Sequence, residues 1–397
     1  MNVLRQTLAV TGASLRGLPA RGVASLVVVL GLAGVVSVMV ALLAMAEGFD
    51  RLFADAGRAD RVVVLRNGDD SGTGSAIPRE LAPLMVDSPG LKRDAAGQPL
   101  ASIEKYIVSM LPDKQTGEDV FMVIRGVGAP VLQVRPEVHL IEGRMFQPGL
   151  REVIVGVRAR EQFAGLELGR SVQITDAVWT VVGVFESGGS VHETEVWGDV
   201  ESVVSAYSIT KQYASITAVL ASEDSFDTYQ DALTTNPALN HYPKRETEYY
   251  AAQSAQLSGM MRAFGYFVAG IMGLGALFSA VNTLYAAVRA RTREIATLRA
   301  LGFAGTPIVL SVLLEALVLC LAGGALGGAL AWLFFNGYSV STLQGGGAPS
   351  QVAFSFHVSA RVLQQGLLAA GLVGLLGALL PALRAARVPV VDALRAN

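Results

Sequence analysis

Two groups of residues in this chain of 397 could do chemistry. The first is His192-Glu193-Thr194-Glu195, which sets a histidine beside two carboxylates. A zinc site or a hydrolytic centre needs several donors converging on one point. In an extended segment His192 and Thr194 face one way and the two glutamates the other. That is a poor ligand set, and the run reads as a solvated loop. His139, His241 and His357 are scattered, and no Ser/His/Asp or paired-carboxylate arrangement stands out, so the residues give no support to an enzyme or a resident metal. The second group is the arginine run Arg289, Arg291, Arg293 and Arg299, with Glu294 inside it and Glu315 shortly beyond. Such a run is suited to contacting lipid phosphates or a partner, and otherwise it is a solvated basic link.

The elements that carry this second group are apolar. Four spans, Val23–Ala46, Ala263–Val288, Pro307–Phe335 and Val362–Leu380, come close to or exceed the roughly 20 apolar helical residues that cross a bilayer. About 215 polar residues lie between the first and second, enough for one or two small domains. The composition of 52% hydrophobic and 16% charged residues hides two populations. All but three of the 33 acidic residues (Glu294, Glu315 and Asp392) fall between Glu47 and Glu248. The net charge of −2 says little by itself, but there is no basic stripe of the kind nucleic-acid binding needs, so no nucleic-acid partner is expected. The first span resembles a signal peptide in following Arg5, Arg16 and Arg21, and Ala44-Met45-Ala46 resembles a cleavage site. Its length exceeds a signal core, so an uncleaved anchor is expected. Lys and Arg mark the inner side of short loops. The N-terminal tail, the link with Arg289, Arg291, Arg293 and Arg299, and the tail with Arg384, Arg387 and Arg395 all carry that mark. Four spans then close with both termini inside and the large domain outside. Cys320 is the sole cysteine and lies in the third span, so the outer domain must rest on an ordinary core without disulfides.

That outer domain reads α+β. Strands are expected at Arg61–Leu65, Ile103–Leu111, Val120–Val127, Glu152–Val155, Ser171–Ile174, Trp179–Phe185 and Ile216–Ala221. Helices are expected at Arg158–Ala164, Asp199–Tyr207 and Ser225–Thr234. Asn67–Pro78 reads as a mobile loop. Glu47–Gly57 and Tyr249–Met261 continue as helices beyond the first span and before the second, forming a stalk at the two ends of the domain.

The link Arg289–Phe303 has no helix breaker before Gly302. It predicts an amphipathic helix at the inner membrane face, with its arginines toward phosphates or a partner and Ile295 and Leu298 toward the bilayer. Its run Arg291-Thr292-Arg293-Glu294-Ile295-Ala296-Thr297-Leu298-Arg299-Ala300-Leu301-Gly302 resembles the signature of the MacB/FtsX-like ABC transporter permeases. So do Leu313-Leu314-Glu315-Ala316, Pro381–Arg387 and Val388–Arg395, and so does the order of one span, a large outer domain and three spans. The resemblance implies a permease subunit of the MacB/LolC/LolE type in a bacterial inner membrane. Residues Arg289, Arg291, Arg293, Glu294, Ile295, Leu298, Arg299 and Leu301 would form the coupling helix that docks into a cytoplasmic ABC ATPase subunit. Two ATPases and a second permease, a copy or a paralogue, would complete the unit. The chain contains no G-x-x-x-x-G-K-[ST] loop, so ATP and Mg are expected on the partner and no cofactor on this chain. A periplasmic membrane-fusion adaptor and an outer-membrane channel are further expected partners of an exporter. The alternative is an FtsX-like regulator that activates a periplasmic cell-wall hydrolase.

The expected organisation is a cytoplasmic segment 1–22, first span and stalk 23–57, a periplasmic α+β domain 58–245, stalk and second span 246–288, coupling helix 289–305, third span 306–335, a periplasmic loop 336–361, fourth span 362–380 and a cytoplasmic tail 381–397. Thr306 as cap and Pro307 as first residue are expected to open the third helix. Glu315 would sit about 12 Å inside that helix. An acid there is costly, so an arginine partner on the coupling helix is expected, Arg293 or Arg299, with snorkelling to the interface as the other reading. Gly323, Gly324, Gly327 and Gly328 allow close helix packing, within the chain or across a dimer.

Overall fold

A computed structural model describes residues 3–16, 22–209, 211–239, 241–341 and 353–387. Arg21, the Val388–Arg395 motif and the middle of the 336–361 loop lie outside the described residues. In chain order the elements begin with α1 (Val3–Arg16), α2 (Gly22–Ala54), β1 (Arg61–Arg66), β2 (Ile77–Pro78), α3 (Ala82–Val86), β3 (Ala101–Pro112), β4 (Asp119–Val127), α4 (Val131–Val134) and β5 (His139–Gly143). They continue with β6 (Glu152–Gly156), α5 (Val157–Gln162), β7 (Ser171–Ile174), β8 (Ala177–Glu186), β9 (Val196–Asp199), α6 (Val200–Ala206), β10 (Gln212–Tyr213), β11 (Ser215–Val219), α7 (Ser225–Thr235) and β12 (His241–Arg245). The last are α8 (Glu246–Ala290), α9 (Thr292–Ala300), α10 (Gly305–Phe335), β13 (Ser339–Ser341), β14 (Ala353–Ser355) and α11 (Ala360–Ala386).

The chain divides into two compact units, one of residues 1–47, 259–338 and 356–397, the other of 48–258 and 339–355. In the second, a mixed sheet of ten strands runs β12-β1-β11-β3-β4-β9-β6-β8-β5, with β7 paired to β8 off this path. Only β4–β9 and β6–β8 pair in parallel. Both faces are covered, which is why the strands read as continuous apolar runs. Val153 and Val155 point into a core with Ile124, Phe163 and Trp179. Ile154, between them, points into the opposite core with Phe185 and Trp197, as the two-residue period of a strand requires. The third cluster joins Val62, Val64 and Ile216 to Tyr229 and Leu233 of α7. The Asn67–Pro78 segment, expected to be mobile, is tied down instead. Gly72 N–H donates to Tyr249 Oη (3.1 Å), Arg66 N–H to Ser75 Oγ (2.8 Å) and Lys244 Nζ to Asp70 (2.6 Å).

Among the described residues four helices, α2, α8, α10 and α11, are long and apolar enough to cross a membrane. Several bounds differ from expectation, two of them at the ends of α8 and α11. Helix α8 ends at Ala290, and α11 continues through Pro381 to Ala386. Glycine sets how closely these helices approach. A Cβ on Gly323 or Gly327 of α10 would lie 2.8 Å from Val29 O or 2.4 Å from Ala33 O of α2. Gly324 and Gly328 turn the other way, toward Ala370 and Leu363 of α11. One helix therefore meets two neighbours through two glycine pairs, and backbone contact replaces the side-chain ridges that would separate them.

Gly327→Ala is expected to destabilise the detergent-solubilised chain by about 1–3 kcal/mol through overpacking. Gly31→Ala, whose Cβ would meet nothing within 4 Å, is expected to be neutral or to stabilise by about 0.5–1 kcal/mol. Thermal unfolding of the two variants beside the parent checks this, and equal midpoints would contradict it.

Candidate functional site

Arg291 divides the expected link helix in two. Its backbone (φ −102°, ψ 9°) leaves the helical track after Ala290, and α9 starts at Thr292. The Arg291 side chain turns inward, and its Nη1 and Nη2 donate to Glu315 Oε2 (2.9 Å) and Oε1 (3.2 Å). The partner of Glu315 is thus Arg291 and not Arg293 or Arg299. The break moves the arginine preceding α9 toward α10 and leaves Arg293 on the exposed side. A forked arginine pairing is the arrangement that makes a buried carboxylate tolerable, and Glu315 is 6% exposed. The pair contacts a third element. Ser14 of α1 donates to Glu315 Oε2 (2.5 Å), and its Oγ accepts from Arg291 Nη1.

The remaining residues of the link divide by face. Ile295 and Ala296 are buried, and Ile295 sits among Val288, Ile308, Val312, Ala382 and Ala385. The apolar side of α9 therefore faces protein rather than the bilayer, a correction to the expected orientation. Leu298 and Arg299 are half-buried, whereas Arg289, Arg293, Glu294 and Leu301 are exposed, Leu301 by 72%. Gly302, at φ +91°, ends the helix. Phe303 N–H returns to Leu298 O (3.1 Å) and Gly302 N–H to Arg299 O (3.0 Å), a left-handed C-terminal closure that favours glycine. Helix α10 opens at Gly305 after the cap Ala304, two residues earlier than expected, so Thr306 and Pro307 lie inside its first turn. Pro307 is tolerated there because first-turn N–H groups have no intrahelical acceptor. Gly323, Gly324, Gly327 and Gly328 lie deeper in α10 and take no part in this cluster.

A second charged cluster was not visible in the sequence, where His192–Glu195 reads as solvated. All four residues are buried. Glu195 accepts a forked pair of hydrogen bonds from Arg125 and one from Trp197 Nε1 (2.7 Å). Arg125 also donates to Glu104 Oε2 (2.8 Å) and lies 4.4 Å from the centre of the Tyr106 ring. Glu246, the first residue of α8, accepts from Arg61 Nε (2.6 Å) and Arg135 Nη1 (2.6 Å), and Arg58 N–H donates to it (3.1 Å). Arg61 reaches Ala56 O (3.2 Å), just past the end of α2. Arg61, Arg125 and Arg135 thereby face Glu104, Glu195 and Glu246, with the partly exposed Glu137 also 2.7 Å from Arg61 Nη1, and the end of α2, the start of α8 and the middle of the sheet share one set of charges. Phe53 and Tyr250 add a ring contact at 6.4 Å between the two helices.

Burial disfavours ionisation of Glu104, yet Arg125 and Arg135 hold its carboxyl below the usual range. Glu195 behaves likewise beside Arg125. Burial, reinforced by Arg135, pushes His192 down to about 3, so it is neutral. Arginine can only donate, so His192 Nε2, 3.0 Å from Arg135 Nη1, is the acceptor and its proton sits on Nδ1, facing Glu195.

The sign of the pH effect follows. Between pH 6.5 and about 3 the unfolded chain protonates His192 and the folded chain does not. Stability is full above 6.5 and falls with acidification, by at most about 1.4 kcal/mol per pH unit from this residue. Hydrogen exchange of β3 and β4 amides, measured from pH 7 to 5, should show a steeper loss in the parent than in His192→Asn; parallel curves would contradict the assignment. Arg125→Ala removes the forked partner of Glu195, leaving it the Trp197 Nε1 hydrogen bond, and leaves Glu104 with Tyr106 Oη (3.0 Å) and Arg135 at 3.7 Å; about 3–5 kcal/mol of destabilisation is expected.

Two family models match the chain. A MacB-like periplasmic core domain covers residues 25–236, and the FtsX-like permease C-terminal domain covers residues 266–390. A macrolide export ATP-binding/permease protein MacB from Shewanella sp. (strain ANA-3) is 33% identical over 141 residues, 36% of this chain and 20% of that protein. An uncharacterized ABC transporter permease, YvrN of Bacillus subtilis (strain 168), is 26% identical over 250 residues, 58% of each. The matches thus span from a fifth to somewhat over half the length of these relatives. The periplasmic region of MacB from Actinobacillus actinomycetemcomitans covers 47% of the chain at 12% identity, with a TM-score of 0.36, too low to bear on the fold. Because the core-domain model spans more than half the chain and the permease model takes in α9, α10 and α11, the chain belongs to the MacB/FtsX-like family of ABC transporter permeases.

Proposed function

We propose that this chain couples ATP hydrolysis on a separate ATPase subunit to work on the outer side of a bacterial inner membrane, with both termini cytoplasmic. The observation that carries this reading is the construction of α9. One side is fixed in protein by Ile295, Ala296 and the Arg291–Glu315 pair, and the other presents Arg293 and a Leu301 that is 72% exposed. A short helix held on one side and solvent-exposed on the other is suited to receive a push from a docked protein. An exposed leucine at the end of a helix that also exposes Arg293 fits an apolar groove with an acidic rim. Two ATPases carrying Mg-ATP would act on two permeases, a pair of copies or a copy and a paralogue. The chain passes along α2 and α8 between the spans and the sheet domain, so these helices would carry motion outward for export or mechanical work on a periplasmic substrate.

Leu301→Glu and Arg293→Glu are each expected to lower the amount of ABC ATPase recovered with the tagged chain from its own membranes at least about tenfold. Leu168→Glu, at an exposed position of the sheet domain, serves as the control. Undiminished recovery would remove α9 as the docking element. The other proteins recovered distinguish the modes of action: a membrane-fusion adaptor and an outer-membrane channel accompany an exporter, and a cell-wall hydrolase accompanies a regulator.

A further inference from the structure

Helix α1 precedes the first span and matches neither family model. Its residues Gln6, Val10 and Ser14 recur every four positions and so share one face. Gln6 and Ser14 are both 8% exposed, unusual for polar side chains at the start of a chain. They meet the two ends of the link around α9. At one end Ser14 Oγ donates to Glu315 and accepts from Arg291, while Ser14 O accepts from Arg291 Nη2 (3.3 Å). At the other end Gln6 Oε1 accepts from the N–H of Ala304 (3.5 Å), the residue that caps α10. Between the two, Val10 and Ser14 line a cavity of about 280 Å³ whose other walls include Ile295, Leu298 and Phe303.

We infer that α1 is a working part of the coupling apparatus, a brace across the link that carries α9, bonded at Arg291 before that helix and at Ala304, the cap of α10, with Ser14 as the positioning residue of the Arg291–Glu315 pair. Two elements, α8 and α10, flank α9 in sequence and could let it pivot. A third helix bonded at both ends removes that freedom and passes a push on α9 to α10 through Glu315. The Ser14 hydroxyl touches both members of the pair. Without it Glu315 loses a charge-assisted hydrogen bond at a buried position.

The role of α9 as a receiver rests on the function proposed above, so the test begins with a readout that needs no ATPase. Hydrogen exchange is measured across residues 292–303 of the full-length chain in lipid nanodiscs. Ser14→Val, a near match in shape to Ser14→Thr but without a hydroxyl, is expected to speed exchange about tenfold or more, and Gln6→Ala to act mainly near 301–304. Ser14→Thr is expected to restore the parent rate, and exchange in the middle of α11 should be unchanged in all three. Parent-like exchange in Ser14→Val, or equal effects of Val and Thr, overturns the brace. The same variants, purified with the bound ATPase, should retain that ATPase while losing the dependence of its hydrolysis rate on the permease. If no ATPase binds any form, the coupling role falls, and the brace is then judged by the exchange data alone.

Discussion

A charge removed from water must be matched by a countercharge at hydrogen-bond distance, or the fold loses several kcal/mol. Each unit of this chain meets that requirement in its own way, and the rest of the structure is arranged around the result. In the sheet domain three arginines and three glutamates are assembled from β1, β3, β4, the α4 end, the start of β9 and the first residue of α8. Hydrophobic packing would hold the same elements together, yet it tolerates sliding. A forked Arg125–Glu195 pair resists it, because two parallel hydrogen bonds fix the orientation of guanidinium and carboxylate together. In the helical unit the same physics acts on a smaller scale, where Arg291 and Glu315 can stay buried only while α9, α10 and α1 keep their relative positions.

These clusters divide labour with the glycines. Gly323 and Gly327 bring α10 against α2, while Gly324 and Gly328 bring it against α11, and this packing is apolar and short-range. It sets distance and says little about register along the helices. The charged pair near the end of the bundle supplies the register. A membrane permease that must move without coming apart is well served by this combination, since close glycine contacts permit small sliding shifts whereas a buried ion pair has discrete made and broken states.

Much of this was legible in the sequence because it depends on local pattern. The four spans follow from length and apolarity, and the strands at Arg61, Val120, Glu152 and Ser171 from β-branched runs. The link between Arg289 and Phe303 was visible from its charge pattern and Gly302. What escaped depends on partners far along the chain. His192–Glu195 looks solvated until Arg125, Arg135 and Glu246 are brought to it. Strand β12 contains Pro243, which argues against a strand except at an edge, and β12 is the edge of its sheet. The Glu315 partner was misplaced because the chain departs from helical geometry at Arg291, and no residue type in the run announces that break. Helix α1 carried a signal in the spacing of Gln6, Val10 and Ser14, but its meaning required knowing what lay opposite.

The account stands on α9 being moved by nucleotide. Pulsed electron paramagnetic resonance between spin labels at Thr297→Cys, on the two permeases of the assembled complex, measures that motion directly. Cys320 is buried, which leaves residue 297 as the labelled position. The distance between the two labels should shorten when ATP is trapped and lengthen when nucleotide is removed. An unchanged distance distribution in an ATP-hydrolysing complex would contradict the account.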